Sequence, residues 1–184
     1  MFKFLTFPVP VPVALLRWLV SVLLLVTAPC IADQPYRLRI GDQAPDIELA
    51  RLDGGHLRLS QLHRQALAVT FYSPYCEPCQ RELPILARVV GQVGRDTGAT
   101  VTMVVIVSDG RPYAAVVKRL GPDLIWLLDE SQVAKSAFDP RTLPSTFIFG
   151  SDSTVRNINR GIGPQYETRV EGWLRKLLVG KKTQ

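Results

Sequence analysis

Three observations predict an α/β domain with a central mixed sheet flanked by helices. Two apolar runs, Ala66–Tyr72 and residues 100–107, have the length and make-up of strands buried on both faces. Between them Leu83, Leu86, Val89, Val90 and Val93 recur at steps of three or four, the spacing of an amphipathic helix. Strand, helix, strand in that order implies a parallel crossover. A third apolar run, residues 146–149, turns at 150–153 and returns over 155–158, adding an antiparallel hairpin.

The bulk numbers fit one domain. The chain has 184 residues and a formal net charge of +6. Residues 1–32 contain Lys3 and Arg17 and no acid, which leaves +4 on residues 33–184. The basic residues are scattered rather than clustered with aromatics, so a nucleic-acid partner is not expected. About 150 residues after the first segment suffice for one real core.

Residues 1–32 read as a signal peptide or membrane anchor, and residues 33–184 as the folded domain. Lys3 and Arg17 precede an apolar run over 18–28, which is short for a membrane span. Cys30, Ile31 and Ala32 place small residues where a signal is cut, so the expected mature N-terminus is Asp33. An uncleaved anchor is the alternative. Either way the domain lies in the periplasm or an equivalent extracytoplasmic compartment, secreted or tethered to the inner membrane, where disulfides persist. Contact with the membrane is expected only through this segment.

Residues 41–45 form a loop. Residues 47–52 alternate loosely, Asp53-Gly54-Gly55 is a turn signal, and residues 56–59 alternate again, which predicts an N-terminal β-hairpin. Ser60 is a candidate cap for a helical turn through Leu62. His56 and His63 have no ligand spacing around them. The helix after the first buried strand contains Pro84 and ends between Gly91 and Gly98. Residues 113–120 form a further helix stopped by Gly121-Pro122, and residues 124–128 a short strand. Asp129 is a candidate cap for a helix over 131–138. A closing helix, Tyr166–Val179, turns Val170, Trp173, Leu174, Leu177 and Leu178 to one side.

The chemistry gathers at Cys76-Glu77-Pro78-Cys79, where the first buried strand hands over to the helix. Unpaired N–H groups and the dipole at a helix start favour an anion. A thiolate on Cys76 suits that place and is the nucleophile of disulfide exchange. Cys79, one turn on, is placed to resolve a mixed disulfide. A purely structural bridge rarely closes so short a loop. A zinc site needs two further ligands, and only Cys30, His56 and His63 are on offer. No metal and no cofactor are therefore expected.

The order of elements, with Leu143-Pro144-Ser145 before the hairpin, resembles the thioredoxin fold, and within it the TlpA/ResA branch of thiol–disulfide oxidoreductases. Gly41 to Asp46 resembles that branch's opening segment. Cys76-Glu77-Pro78-Cys79 followed by Glu82, Leu83 and Pro84 resembles its active site, and Leu143 to Phe147 its cis-proline segment. The resemblance covers about residues 38–178. It implies Cys76 as attacker and Cys79 as resolver; Glu82, three residues beyond Cys79 on the same helix face, is placed to accept the Cys79 proton, and these three are the candidate catalytic residues. A surface or helix-pairing Glu82 is the alternative. It implies substrate contacts at Tyr75, Pro78, Leu143 and Pro144, with Pro144 cis and beside Cys76. Implied partners are protein disulfide substrates, such as those of cytochrome c maturation, and a membrane thiol–disulfide electron donor. Tyr75 stands where the branch usually has tryptophan. Ser73-Pro74 is instead reminiscent of a branch linked to methylamine utilisation, so a disulfide-forming accessory of a dehydrogenase is one alternative function.

Glu77 and Glu82 put negative charge near the pair, which opposes a thiolate and argues for a reductant. Two rivals share the fold. A copper-delivery protein would favour added Met or His, but the only methionines are Met1 and Met103. A thiol peroxidase would have proline where Val69 stands, although Ser73 fits its hydroxyl position.

Overall fold

The computed structural model describes residues 38–62, 64–121 and 124–179. The expectations for residues 1–32, His63, Pro122 and the tail after Val179 lie outside the described residues. In chain order the elements are β1 (Glu48–Arg51), β2 (His56–Arg58), a 3-10 turn (Leu59–Gln61), β3 (Ala66–Tyr72), α1 (Glu77–Thr97), β4 (Val101–Val107), α2 (Ala114–Leu120), β5 (Ile125–Leu128), α3 (Val133–Phe138), β6 (Ser145–Gly150), β7 (Val155–Arg160) and α4 (Tyr166–Val179).

The strands make one mixed sheet in the order β2-β1-β5-β4-β3-β6-β7. β3 is its middle. It runs parallel to β4 from Ala66↔Val101 to Tyr72↔Val107, and antiparallel to β6 from Ala66↔Gly150 to Phe71↔Ser145. All seven residues of β3 are buried. Successive strand residues face opposite sides, so β3 serves two cores at once. Ala66, Ala68 and Tyr72 join a cluster with Leu83, Leu86, Val90 and Val93 of α1 and Val170 and Leu174 of α4. Leu67, Val69 and Phe71 join Phe138, Phe147 and Phe149 on the other side. Phe138 meets Phe71, Phe147 and Phe149 edge-on, with ring centroids 5.3, 5.1 and 6.1 Å apart.

The same alternation puts Thr70 of β3 on the α1 face, flanked by Ala68 and Tyr72. Thr146, two residues before Ile148 on β6, shares that face. Two hydroxyls are thereby set into an otherwise apolar layer beneath α1.

α1 continues through Pro84 and ends at Gly98, whose φ of 66° is the left-handed cap that glycine adopts without a Cβ penalty. Exposed pairs, Arg88 with Glu167 and Arg175 with Asp96, join α1 to α4. Such surface pairs contribute little beside the apolar seam they border.

Asp129 does cap α3, at longer range than a usual cap. Its buried carboxylate accepts from Ala134 N–H at 2.9 Å and Lys135 N–H at 2.8 Å, and the helix begins at Val133 after a left-handed Gln132. The expectation for Ser60 is corrected. Ser60 lies inside the 3-10 turn, and Arg58 occupies the cap position, its N–H donating to Gln61 Oε1 at 3.0 Å. A serine two places later than the cap has no orphan N–H of that turn to satisfy.

Candidate active site

Cys76 and Cys79 are joined as a disulfide, with Cα atoms 5.2 Å apart. Cys76 is the N-cap of α1, in extended conformation, and its Sγ accepts from Cys79 N–H at 3.2 Å. That contact shows why a sulfur at this place gains from ionising: a thiolate accepts the same N–H more strongly. The preceding loop is pinned by its own backbone. Cys76 N–H donates to the Ser73 carbonyl at 3.1 Å, Tyr75 N–H to Ser73 Oγ at 3.2 Å, and Gln80 Nε2 to the Pro74 carbonyl at 2.7 Å. Pro78 takes the second helical position, where its missing N–H costs no intrahelical bond.

The two sulfurs differ in access. Cys76 is half-buried, whereas Cys79 is 1% exposed. Of the two, Cys76 is the one open to approach from solvent. Tyr75 stands beside it with 78% of its surface exposed, and its ring passes close to Gly110, whose φ of 62° again favours glycine. Glu77 is exposed and paired with Arg81 at 2.8 Å.

Glu82 is 1% exposed, which removes the surface alternative. Thr146 Oγ1 donates to Glu82 Oε1 at 2.8 Å, and the Tyr166 hydroxyl donates to the same oxygen. Thr146 Oγ1 also lies 3.0 Å from Thr70 Oγ1. Burial pushes the Glu82 carboxyl above its ordinary value, and hydrogen bonds from Tyr166, Thr146 and Thr70 offset part of that rise. Burial and the Glu82 charge push the Tyr166 phenol well upward, so it stays a donor.

The raised carboxyl makes a stability prediction. The folded state binds the Glu82 proton more tightly than the unfolded chain does. Its contribution is fully present below the ordinary value of 4.5 and is lost as pH rises through the folded pKa. Glu82→Gln, uncharged at every pH, is expected to lack that decline. Urea unfolding of both proteins between acidic and neutral pH checks this: the stability difference should shift in favour of the variant as pH rises.

The Leu143–Pro144 peptide is cis. Pairing of Ser145 with Phe71 carries Pro144 to the end of the sheet where β3 delivers the cysteine loop, and Leu143 and Cys76 pack against the same core cluster. Pro144 is buried, and its carbonyl accepts from Gly161 N–H at 2.7 Å. A cavity of about 290 Å³ adjoins Leu143, walled by Ser108, Lys135, Pro140 and Thr142 among others. The structure thus gathers Cys76, Cys79, Glu82, Tyr75 and Pro78 on one helix start, and sets Leu143 and Pro144 at the same sheet end.

Sequence reasoning missed Thr70, Thr146 and Tyr166. The two threonines had a visible signal, since each interrupts an apolar strand in the phase that faces α1. Tyr166 had none, because it lies 84 residues from Glu82 and reads as the first core position of a helix. Among the described residues no three His, Cys, Asp or Glu side chains gather into a metal-binding group.

A family model for the AhpC/TSA family matches residues 40–158. The chain belongs to the AhpC/TSA family. Its AhpC/TSA match contains the cysteine pair, Glu82 and Pro144, and stops short of Tyr166. Thiol-disulfide oxidoreductase ResA of Bacillus thuringiensis is 24% identical over 143 residues, covering 77% of this chain and 80% of that protein. ResA of Geobacillus kaustophilus is 27% identical over 125 residues, covering 66% and 70%. The solution structure of a thiol:disulfide interchange protein from a Bacteroides species superposes with a TM-score of 0.62 at 16% identity, covering 79% of this chain and 94% of that one. The fold is thioredoxin-like, and this AhpC/TSA member is a thiol–disulfide oxidoreductase.

Proposed function

We propose that this oxidoreductase works outside the cytoplasm and reduces disulfides of protein partners through Cys76 and Cys79. The observation that carries this reading is the asymmetry of the pair: an accessible sulfur at a helix N-cap, and a buried one a turn above a buried carboxyl. In the reduced protein the Cys76 thiolate attacks one sulfur of the partner's disulfide. That S–S bond breaks, a mixed disulfide forms, and the first partner sulfur leaves as a thiolate. Cys79 then gives its proton to Glu82 and attacks Cys76 Sγ. The Cys76–Cys79 bond forms, and the second partner sulfur departs as a thiolate that takes a proton from water. The partner gains two electrons, and a dithiol donor at the membrane restores the pair.

Tyr75 and Pro78 would flank the partner's disulfide, and the backbone of Leu143 would pair with the partner chain as an added strand edge. The direction of flow rests on Glu82. A carboxylate and a Cys79 thiolate do not share a buried site readily, so the reduced pair is weakly stabilised and gives up its electrons. Equilibration with glutathione buffers tests this. The expected potential is closer to the roughly −270 mV of thioredoxin than to the roughly −120 mV of the oxidant DsbA. A value near the latter would reverse the assigned direction. Residues 1–32, read as a signal or anchor, support the location. Mass spectrometry of exported protein is expected to find a chain starting at Asp33.

A further inference from the structure

We propose that Tyr166 is a positioning residue for the redox reaction. Its hydroxyl, with that of Thr146, fixes the Glu82 carboxyl so that Oε1 is held by donors and Oε2 takes the proton that Cys79 loses. This rests on Glu82 being the proton acceptor. Tyr166 lies beyond residue 158, where the family match ends.

The geometry is specific. Both hydroxyls converge on one carboxylate oxygen, and donors on a single oxygen leave the other as the site of protonation. Glu82, Thr146 and Tyr166 are each at most 3% exposed, so water does not substitute freely for either donor. Thr146 has a single proton and two acceptors within reach, Glu82 Oε1 and Thr70 Oγ1. Tyr166 is therefore the donor that commits to the carboxyl. The groups facing Glu82 are Thr70 from β3, Thr146 from β6, Tyr166 from α4 and Cys79 one turn earlier on α1. No cation pairs with Glu82 among the described residues. Arg169, one turn along α4, bonds Asn159 Oδ1 at 2.9 Å.

A donor to Oε1 stabilises the carboxylate over the neutral acid and works against burial. Without it, the carboxylate loses its committed donor, and Glu82 becomes available as a proton acceptor only at higher pH. The chain thereby ties its closing helix to proton transfer at the pair. The first turn of α4 carries the donor, and the rest of α4 packs Val170 and Leu174 against α1.

The test follows resolution of a mixed disulfide between Cys76 and thionitrobenzoate, by release of the coloured thiol across pH. In Tyr166→Phe the acid limb is expected to move up by about one pH unit, with a rate several-fold lower at neutral pH that recovers in base. Glu82→Gln should replace this limb with one set by Cys79 losing its proton to water, and adding Tyr166→Phe to it should change nothing further. If Tyr166→Phe keeps the wild-type limb while Glu82→Gln displaces it, Tyr166 has no positioning role and the Glu82 assignment stands. If both keep it, the Glu82 assignment falls and takes this proposal with it. Equal slowing by Tyr166→Phe with and without Glu82 would mark a packing residue and overturn the proposal. A second variant guards against poor folding of Tyr166→Phe. Placing 3-fluorotyrosine at 166 keeps the ring and strengthens the donor, so the limb should move down. An unmoved limb would also overturn the proposal.

Discussion

Cys76→Ser is expected to abolish turnover of protein disulfides, while Cys79→Ser yields a one-thiol protein that accumulates mixed disulfides with its partners. The two outcomes differ because the sulfurs differ in access. Cys76 is half-buried at the N-cap, and Cys79 lies 1% exposed behind it. In the proposed mechanism, attack on a partner needs the first, and release of the product needs the second. A disulfide substrate with a colorimetric readout measures turnover, and mass spectrometry of non-reduced protein detects the adducts. Turnover in Cys76→Ser at a substantial fraction of wild type would reverse the assignment. Adducts recovered on Cys79→Ser would also name the physiological partner, since each retains its bound chain.

The largest effect on stability is expected from Phe138→Ala, at about 3–5 kcal/mol. Phe138 is fully buried and meets three other phenylalanine rings edge-on. α3 is six residues long and buries only Ala134 and Phe138. Removing the ring leaves a cavity among Phe71, Phe147 and Phe149, and takes from α3 its one large core side chain. Denaturant unfolding of the variant should show a midpoint well below wild type. A loss under about 1 kcal/mol would mean that the three remaining rings collapse into the space.

Much of this architecture was legible because it depends on local periodicity. β3 and α4 have the bounds that their apolar patterns predict, and the cysteine pair falls at the expected strand-to-helix junction. What was not legible depends on distance in sequence. Asp129 was readable as a cap, but not that it reaches N–H groups five and six residues on, across a left-handed Gln132. Ser60 carried a cap-like residue type into a turn already capped by Arg58. Glu82 could be placed on the face of Cys79, yet helical spacing alone did not say whether that face met water or the sheet. Its partners come from β6 and α4, 64 and 84 residues away, and only the folded sheet brings them together.

The sheet's two borders bear on how crowded copies of this protein behave. β2 is three residues long, and its Arg58 is held by Glu48 at 2.8 Å. At the opposite border the start of β7 is already occupied: Gly41 N–H donates to the Val155 carbonyl at 2.9 Å, Val155 N–H to the Asp42 carbonyl at 2.8 Å, and Gln43 bridges Thr154. Farther along, β7 turns Arg156 and Arg160 outward. Long, flat, uncharged borders are the templates on which one molecule recruits another into fibres. Here the adhesive runs of β3, β4 and β6 are all interior to the sheet. Folded molecules thus offer a neighbour little sheet border to extend, and the apolar strands become available for such pairing only when the sheet opens.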